Sequence, residues 1–294
     1  MIPLVILDLD GTMIGQSGQV TQAVWAAVER AREDGIKLAL CTGRPNLGVA
    51  QRVVKRLGPT NPHVFQSGAH VAFADGETLK ASSLREATAL QFVRHAREHN
   101  LVLEVYTPHH LYVERKTQIS ETHGRMIGVQ PLVRDLSEVV ATEPVIRAQW
   151  VVPTEQEATA MALRVEGVTV SRATSPAQPD TLFISMTRAG VSKGSAVQDL
   201  AAHLKIPLSH AMAVGDTAGD LPMLEQVGFP VVMGNAEPGL KSRFDRVVGD
   251  VEEDGVVEAL ELAATLRPPA RAAVRSRARA SPASNTCPPR WGPR

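Results

Sequence analysis

The chain has 294 residues, 44% of them apolar, and its 31 lysines and arginines balance 31 aspartates and glutamates, which suits one large or two moderate globular domains. No apolar run approaches the ~20 residues of a membrane span, and the start carries no basic-plus-apolar leader. Two cysteines, Cys41 and Cys287, give no disulfide framework, so a cytoplasmic protein without a membrane partner is expected.

The charge is unevenly spread. Seven arginines and no acid from Arg267 onward leave 24 basic against 31 acidic residues, a formal −7, over residues 1–266. An acidic body argues against a nucleic-acid surface there. Residues 267–294 are mostly Arg, Pro, Ala and Ser, bury too little to offset chain entropy, and are expected to be disordered. Such a basic tail can touch nucleic acid or acidic partners or, as the simpler reading has it, have no bearing on catalysis.

The first element is Leu4-Val5-Ile6-Leu7, an apolar run too short for a helix and suited to a strand buried on both faces. It leads into Asp8-Leu9-Asp10-Gly11-Thr12. Buried carboxylates need a compensating cation, and oxygen ligands point to Mg²⁺. Asp8 suits a nucleophile toward phosphorus. Asp10 suits an acid/base that protonates the leaving oxygen and then deprotonates water. The alternative is an acidic turn that merely ends a strand.

Thr21 caps a predicted helix to about Glu33, with Val24, Ala27, Val28 and Ala31 as its apolar stripe. A second buried strand, Lys37–Cys41, runs into Thr42-Gly43-Arg44-Pro45, where a helix to Leu57 is predicted. A hydroxyl, a glycine and free amides at a helix start make a phosphate cradle; Thr42 as a plain N-cap is the alternative. Val64–Gln66 reads as a third strand, and Asp75-Gly76 as a hairpin turn between His70–Ala72 and Thr78-Leu79. The alternation predicts a doubly wound parallel α/β sheet, with ligands beyond the carboxyl ends of its strands.

The pattern changes after Leu79. Ser83 and Glu86 suggest a capping box before a helix to His99. Strands are expected at Leu101–Tyr106, Leu111–Val113, Ile146–Val152 and Thr181–Met186, and helices near Ser120–Met126 and Thr154–Leu163, while residues 130–143 are ambiguous. Residues 80–187 therefore read as an inserted α+β domain, with 1–79 and 188–266 forming the α/β core. His95, His99, His109, His110 and His123 fall in the insert; we read them as surface or core residues without metal-site spacing on one helix face. His109, His110 and Arg115 facing a substrate is the weaker alternative.

The α/β pattern resumes at Ser192-Lys193-Gly194, where Ser192 caps a predicted helix to Leu204. Lys193 falls in its first turn, against the helix dipole, which suits neutralising a phosphoryl group or an ordinary exposed lysine. The buried strand Ala211–Val214 ends in Gly215-Asp216-Thr217-Ala218-Gly219-Asp220. Asp216 and Asp220 can meet if a helical turn starts there, one as a metal ligand and one as its support. Strands at Pro230–Met233 and Arg246–Val248 and a helix from Gly255 to about Leu266 complete the reading.

The ordered stations Asp8–Thr12, Thr42–Pro45, Ser192–Gly194 and Gly215–Asp220, with Val232–Ala236 and Asp254–Val256, resemble the haloacid dehalogenase superfamily over residues 1–266. The resemblance is to the Cof-type phosphatase branch, whose large cap lies between the second and third motifs. It implies that Asp8 is the nucleophile and Asp10 the acid/base. Thr42, Gly43 and Lys193 would hold the phosphoryl group. Asp8, the Asp10 carbonyl and Asp216 would bind Mg²⁺, and Asp220 would support Lys193 or metal-bound water. The implied activity is hydrolysis of a small phosphate ester, with sugar phosphates favoured. A phosphomutase and a non-catalytic phosphometabolite-binding protein are the alternatives. Two positions depart from the family pattern: Gly219 and Ser67 stand where asparagines are usual.

Overall fold

The computed structural model describes residues 1–175 and 178–268. The disorder expected from residue 267 falls, from 269 on, outside the described residues, as do Cys287 and Trp291. The first part of the chain forms β1 (Leu4–Leu7), α1 (Gln22–Glu33), β2 (Lys37–Leu40), α2 (Gly48–Leu57), β3 (His63–Phe65), β4 (His70–Ala72) and β5 (Thr78–Ala81). There follow α3 (Glu86–His99), β6 (Leu103–Tyr106), β7 (Leu111–Val113), α4 (Gln118–Ile127), β8 (Leu132–Val133), α5 (Leu136–Thr142), β9 (Arg147–Pro153), α6 (Glu157–Ala162), β10 (Val168–Ser175) and β11 (Gln178–Arg188). The chain then makes α7 (Lys193–Leu204), β12 (Ala211–Gly215), α8 (Leu221–Leu224), β13 (Phe229–Val232), α9 (Pro238–Lys241) and α10 (Gly255–Thr265).

A four-stranded parallel sheet in the order β13-β12-β1-β2 carries the site. Successive strand residues point to opposite faces, and both faces are covered. Val5 and Leu7 pack with α1, α2 and α10, while Leu4 and Ile6 pack with Val197 and Leu200 of α7. This two-sided burial explains why β1 is apolar at every position. Leu7 lies level with both Leu40 and Val214, so the residues that follow these three strands emerge side by side.

The third expected strand does not continue the parallel sheet. β3 touches it through one bridge, Cys41 to Val64, and otherwise pairs antiparallel with β4 in a three-stranded sheet with β5. The helix predicted from Pro45 starts at Gly48, with Leu47 at its N-cap and no side-chain cap. Thr42–Pro45 is therefore a loop, consistent with proline restricting the residue before it. The Ser83–Glu86 box is absent, because α3 begins after Arg85. Arg246–Val248 makes only an isolated bridge, Val247 to Val232.

A second sheet, β10-β11-β9-β6-β7-β8, lies between β5 and α7 in the chain and is antiparallel except where β8 joins β7. Its strands alternate. Leu103, Val105, Ala148, Trp150 and Ile184 pack under α3 and α5. On the other face Glu104 stands opposite Gln149, Tyr106 opposite Arg147, and Gln149 opposite Ser185. β10 escaped sequence reading because its one apolar face, begun by Val168 and Val170, gives way to Arg172 and Thr174.

Candidate active site

Asp8 directly follows β1, and its amide donates to the Val214 carbonyl at 3.0 Å, which fixes it beside β12. Asp216 directly follows β12. Because the two strands end level, carboxylate oxygens of Asp8, Asp216 and Asp220 lie within 4.8 Å of one another. Asp8 is 5% exposed and Asp220 fully buried. Gly11 makes the approach possible: its φ is +79°, and a Cβ there would stand 2.1 Å from Asp216 Oδ2.

Lys193 is the first residue of α7, after a capping box of Ser192 and Ser195. Its Nζ donates to Asp8 Oδ1 and to Asp220 Oδ1, each at 2.5 Å. The other Asp220 oxygen accepts from the amides of Asp216 and Thr217 and from Thr217 Oγ1, at 3.0–3.1 Å. Asp220 thus ties the loop after β12 to Lys193. Two residues that sequence reading left out of the site steady Asp216. Thr12 Oγ1 donates to its Oδ1 at 3.3 Å, and Asn235 Nδ2 reaches its Oδ2 at 3.5 Å and the Gly11 carbonyl at 2.9 Å.

The electrostatics are one-sided. Burial first, and then the Asp220 charge, push Asp8 well above the usual carboxylate range, against the pull of Lys193. The same two causes raise Asp216 to about 7. Burial alone would lower Lys193, but Asp220 and Asp8 outweigh it and hold the ammonium charged. Three carboxylates around one ammonium leave two negative charges when all are ionised. A dication with a preference for oxygen ligands fits both that charge and that donor set.

Asp10 lies outside this cluster. Its carboxylate is about half exposed and is gripped by Arg44, with Nε 2.9 Å from Oδ2 and Nη2 2.6 Å from Oδ1. Arg44 also donates weakly to the Met126 carbonyl of α4, at 3.4 Å. Sequence reading passed over Arg44, although its place two residues after Thr42 was the available signal.

Thr42 is buried beyond β2, and its hydroxyl accepts from the Arg44 amide at 3.1 Å, closing a tight turn. The Thr42 and Arg44 carbonyls accept from Ser67 and Gln66 amides, so the loops after β2 and β3 are bound together. Gln66 and Ser67 both adopt positive φ, 52° and 55°. A Cβ on Gly43 would lie 3.4 Å from Ser67 Oγ, and one on Gly219 would meet only Thr217 Oγ1, also at 3.4 Å. The second sheet reaches this loop: Arg147 Nη1 donates to the Gly43 carbonyl at 2.7 Å, with its guanidinium 3.9 Å above the Tyr106 ring.

The histidines of residues 80–187 are core or surface residues as expected, His95 and His123 buried and His99, His109 and His110 exposed. His123 is buried against Glu104 at 2.9 Å. Arg115 donates to Asn100 and His110 faces Glu143 at 3.6 Å, with none of these partners in the carboxylate cluster. The reading that no histidines share metal-site spacing on a helix face is corrected for α3. There His95, Glu98 and His99 bring ligand atoms within 4.8 Å of one another.

Comparison with known proteins gives a consistent setting. A family model described as haloacid dehalogenase-like hydrolase matches residues 5–260. A 5-amino-6-(5-phospho-D-ribitylamino)uracil phosphatase of Bacillus subtilis is 26% identical, covering 88% of this chain and 96% of its own. An HMP-PP phosphatase of Yersinia enterocolitica is also 26% identical, covering 89% and 95%. A solved structure of a phosphatase of the haloalkanoate (HAD) superfamily from Bacteroides thetaiotaomicron superposes with a TM-score of 0.73 at 25% identity, over 90% of this chain and 96% of that one. With the match spanning both sheets and every station of the site, the chain belongs to the haloacid dehalogenase-like hydrolase family.

Proposed function

We propose that the protein is a Mg²⁺-dependent phosphatase that hydrolyses a small phosphorylated metabolite through an aspartyl-phosphate on Asp8. The observation that carries this reading is the excess of negative charge at the ends of β1 and β12: carboxylate oxygens of Asp8, Asp216 and Asp220 lie within 4.8 Å of one another, and among the described residues Lys193, bound to Asp8 and Asp220, is the one cation that pairs with them. Such an arrangement is costly unless a cation joins it. Asp8, the Asp10 carbonyl and Asp216 would hold Mg²⁺, which when bound offsets repulsion between carboxylate and phosphate. The relatives named as phosphatases support a phosphate ester as substrate, and the one named for a phosphoribityl compound supports a sugar-like leaving group.

In this reading an Asp8 oxygen attacks phosphorus as the bond to the ester oxygen breaks, and Asp10 gives that oxygen its proton. Asp10 then takes a proton from water as the water oxygen attacks the same phosphorus, which releases phosphate and restores Asp8. Lys193, Thr42 and the Gly43 amide would hold the phosphoryl oxygens. Arg44 would aim Asp10. Residues 80–187 would act as a cap that excludes water and contacts the leaving group, a role supported by the reach of Arg147 to Gly43. A cytoplasmic setting belongs to the same proposal.

The test is phosphate release from an aryl phosphate and a panel of metabolite phosphates with Mg²⁺. Asp8→Asn is expected to lower turnover at least about a thousandfold with the fold kept, and EDTA to stop it until Mg²⁺ returns. Full activity in a folded Asp8→Asn protein would remove the nucleophile assignment. An isomerised sugar phosphate without free phosphate would identify a phosphomutase instead.

A further inference from the structure

We infer that the last turn of α3 carries a second metal site, made by His95, Glu98 and His99, for a transition metal such as Zn²⁺ or Cu²⁺. Residues 95 and 99 are one turn apart and project from the same helix face, with residue 98 beside them. The two imidazole rings stand 4.5 Å apart between centroids at 58°, so they are tilted rather than stacked. Ligand atoms of all three residues fall within 4.8 Å. Bonds of about 2.0–2.1 Å place tetrahedral ligands roughly 3.3 Å apart, within reach of small rotations of the two exposed side chains.

Four further observations point the same way. His95 is 8% exposed, and its Nε2 lies 2.8 Å from the Thr159 carbonyl, which can only accept. Nε2 therefore carries the proton and Nδ1 keeps its lone pair, the orientation that an outer hydrogen bond imposes on metal-binding imidazoles. The edge of Trp150 packs on the same ring at 5.7 Å and holds it in place. Glu98 and His99 make no side-chain hydrogen bond or ion pair among the described residues, so their donor atoms are uncommitted. The site also sits at the carbonyl end of α3, where the helix dipole favours positive charge.

Two nitrogens and one carboxylate suit Zn²⁺, Cu²⁺ or Ni²⁺, whereas Mg²⁺ prefers oxygen alone. This separates the site chemically from the Asp8 cluster, with which it shares no residue, and leaves a fourth position for water or an outside ligand. The inference is independent of the phosphatase reading.

The test uses the full chain in excess Mg²⁺, with calorimetric titration of Zn²⁺ and electron paramagnetic resonance of substoichiometric Cu²⁺. The wild type is expected to show two-imidazole nitrogen splitting. His99→Ala should reduce this to one nitrogen, with Zn²⁺ affinity at this site at least about tenfold weaker. Glu98→Gln should weaken affinity and keep the nitrogen pattern. The melting temperature of the metal-free protein should be the same in both variants as in the wild type, which reports folding. Identical copper spectra and zinc isotherms in wild type and His99→Ala would overturn the site.

Discussion

The parallel sheet and the six-stranded sheet both bury carboxylates, and they handle them in opposite ways. On the second sheet Glu104 is fully buried, yet its oxygens accept from Tyr106 OH at 2.6 Å, His123 Nδ1 at 2.9 Å and Gln149 Nε2 at 3.3 Å. Three donors converge on one acid. At the end of the parallel sheet three acids crowd together, and one ammonium, bound to two of them, faces the cluster. The first arrangement is complete within the protein and reads as architecture. The second is short of positive charge and reads as a place where something binds. Burial of a charged group is therefore a weak indicator of function until its partners are counted by sign.

The largest effect that tests this contrast is on stability. Glu104→Ala would strand a buried hydroxyl, an imidazole and an amide together with the space left by the side chain. It is expected to destabilise folding by about 3–5 kcal/mol, read by urea unfolding, without a comparable loss of turnover below the transition. A collapse of turnover in protein that remains fully folded would mean that the Glu104 network serves catalysis, and the contrast would fail.

The second effect is on pH. Asp216 has a folded-state value of about 7 against 3.8 for the free carboxyl, from burial first and from Asp220 next. A raised value means that the folded protein holds the proton more tightly. In metal-free protein this group stabilises fully below pH 4, and the contribution is lost as pH rises from there through 7. The bound is on the order of 4 kcal/mol at 1.36 kcal/mol per unit. The difference in melting temperature between wild type and Asp216→Asn in EDTA should shrink or reverse over that window. Mg²⁺ should bind more tightly as the proton leaves. A difference that stays flat from pH 4 to 8 would show that Asp216 is not electrostatically strained.

Much of this was legible in the chain. β1, β12 and, after its exposed Lys37, β2 could be read because burial on both faces leaves an unbroken apolar run, and α7 because Ser192 caps it as its sequence suggests. Asp8 and Asp216 could be placed at one end of the sheet because residues after adjacent parallel strands must be neighbours, whereas the places of Lys193 and Asp220 beside them came from the family resemblance. Apart from Asp220 on Lys193, which the resemblance implied, pairings between distant polar groups were not read. Arg44 on Asp10, Asn235 on Asp216 and Arg147 on Gly43 join segments whose approach depends on loop geometry, such as the positive φ of Gly11, Gln66 and Ser67. The late start of α2 has a local cause, since Leu47 offers no side-chain cap and the Thr42 hydroxyl serves its own loop instead. His95 and His99 were legible by spacing alone and were passed over; the third ligand depended on the helix persisting through Glu98.

The smallest effect concerns the one acid that the parallel sheet does balance. Asp10 faces a planar guanidinium that meets both its oxygens, and this two-point contact sets the direction of the carboxylate as well as its charge. Lysine in place of Arg44 would keep the charge and lose the fork, since a single ammonium offers no fixed plane. Arg44→Lys is therefore expected to lower kcat by about ten- to a hundredfold, the scale of misaligned acid–base catalysis. KM should change much less, because the phosphoryl group would be held by Lys193 and Thr42 rather than by Arg44. A rise in KM with kcat preserved would assign Arg44 to substrate binding. It would also imply that Asp10 finds its direction from elsewhere, and the pairing would then be only a resting contact between two exposed charges, worth ~0–1 kcal/mol.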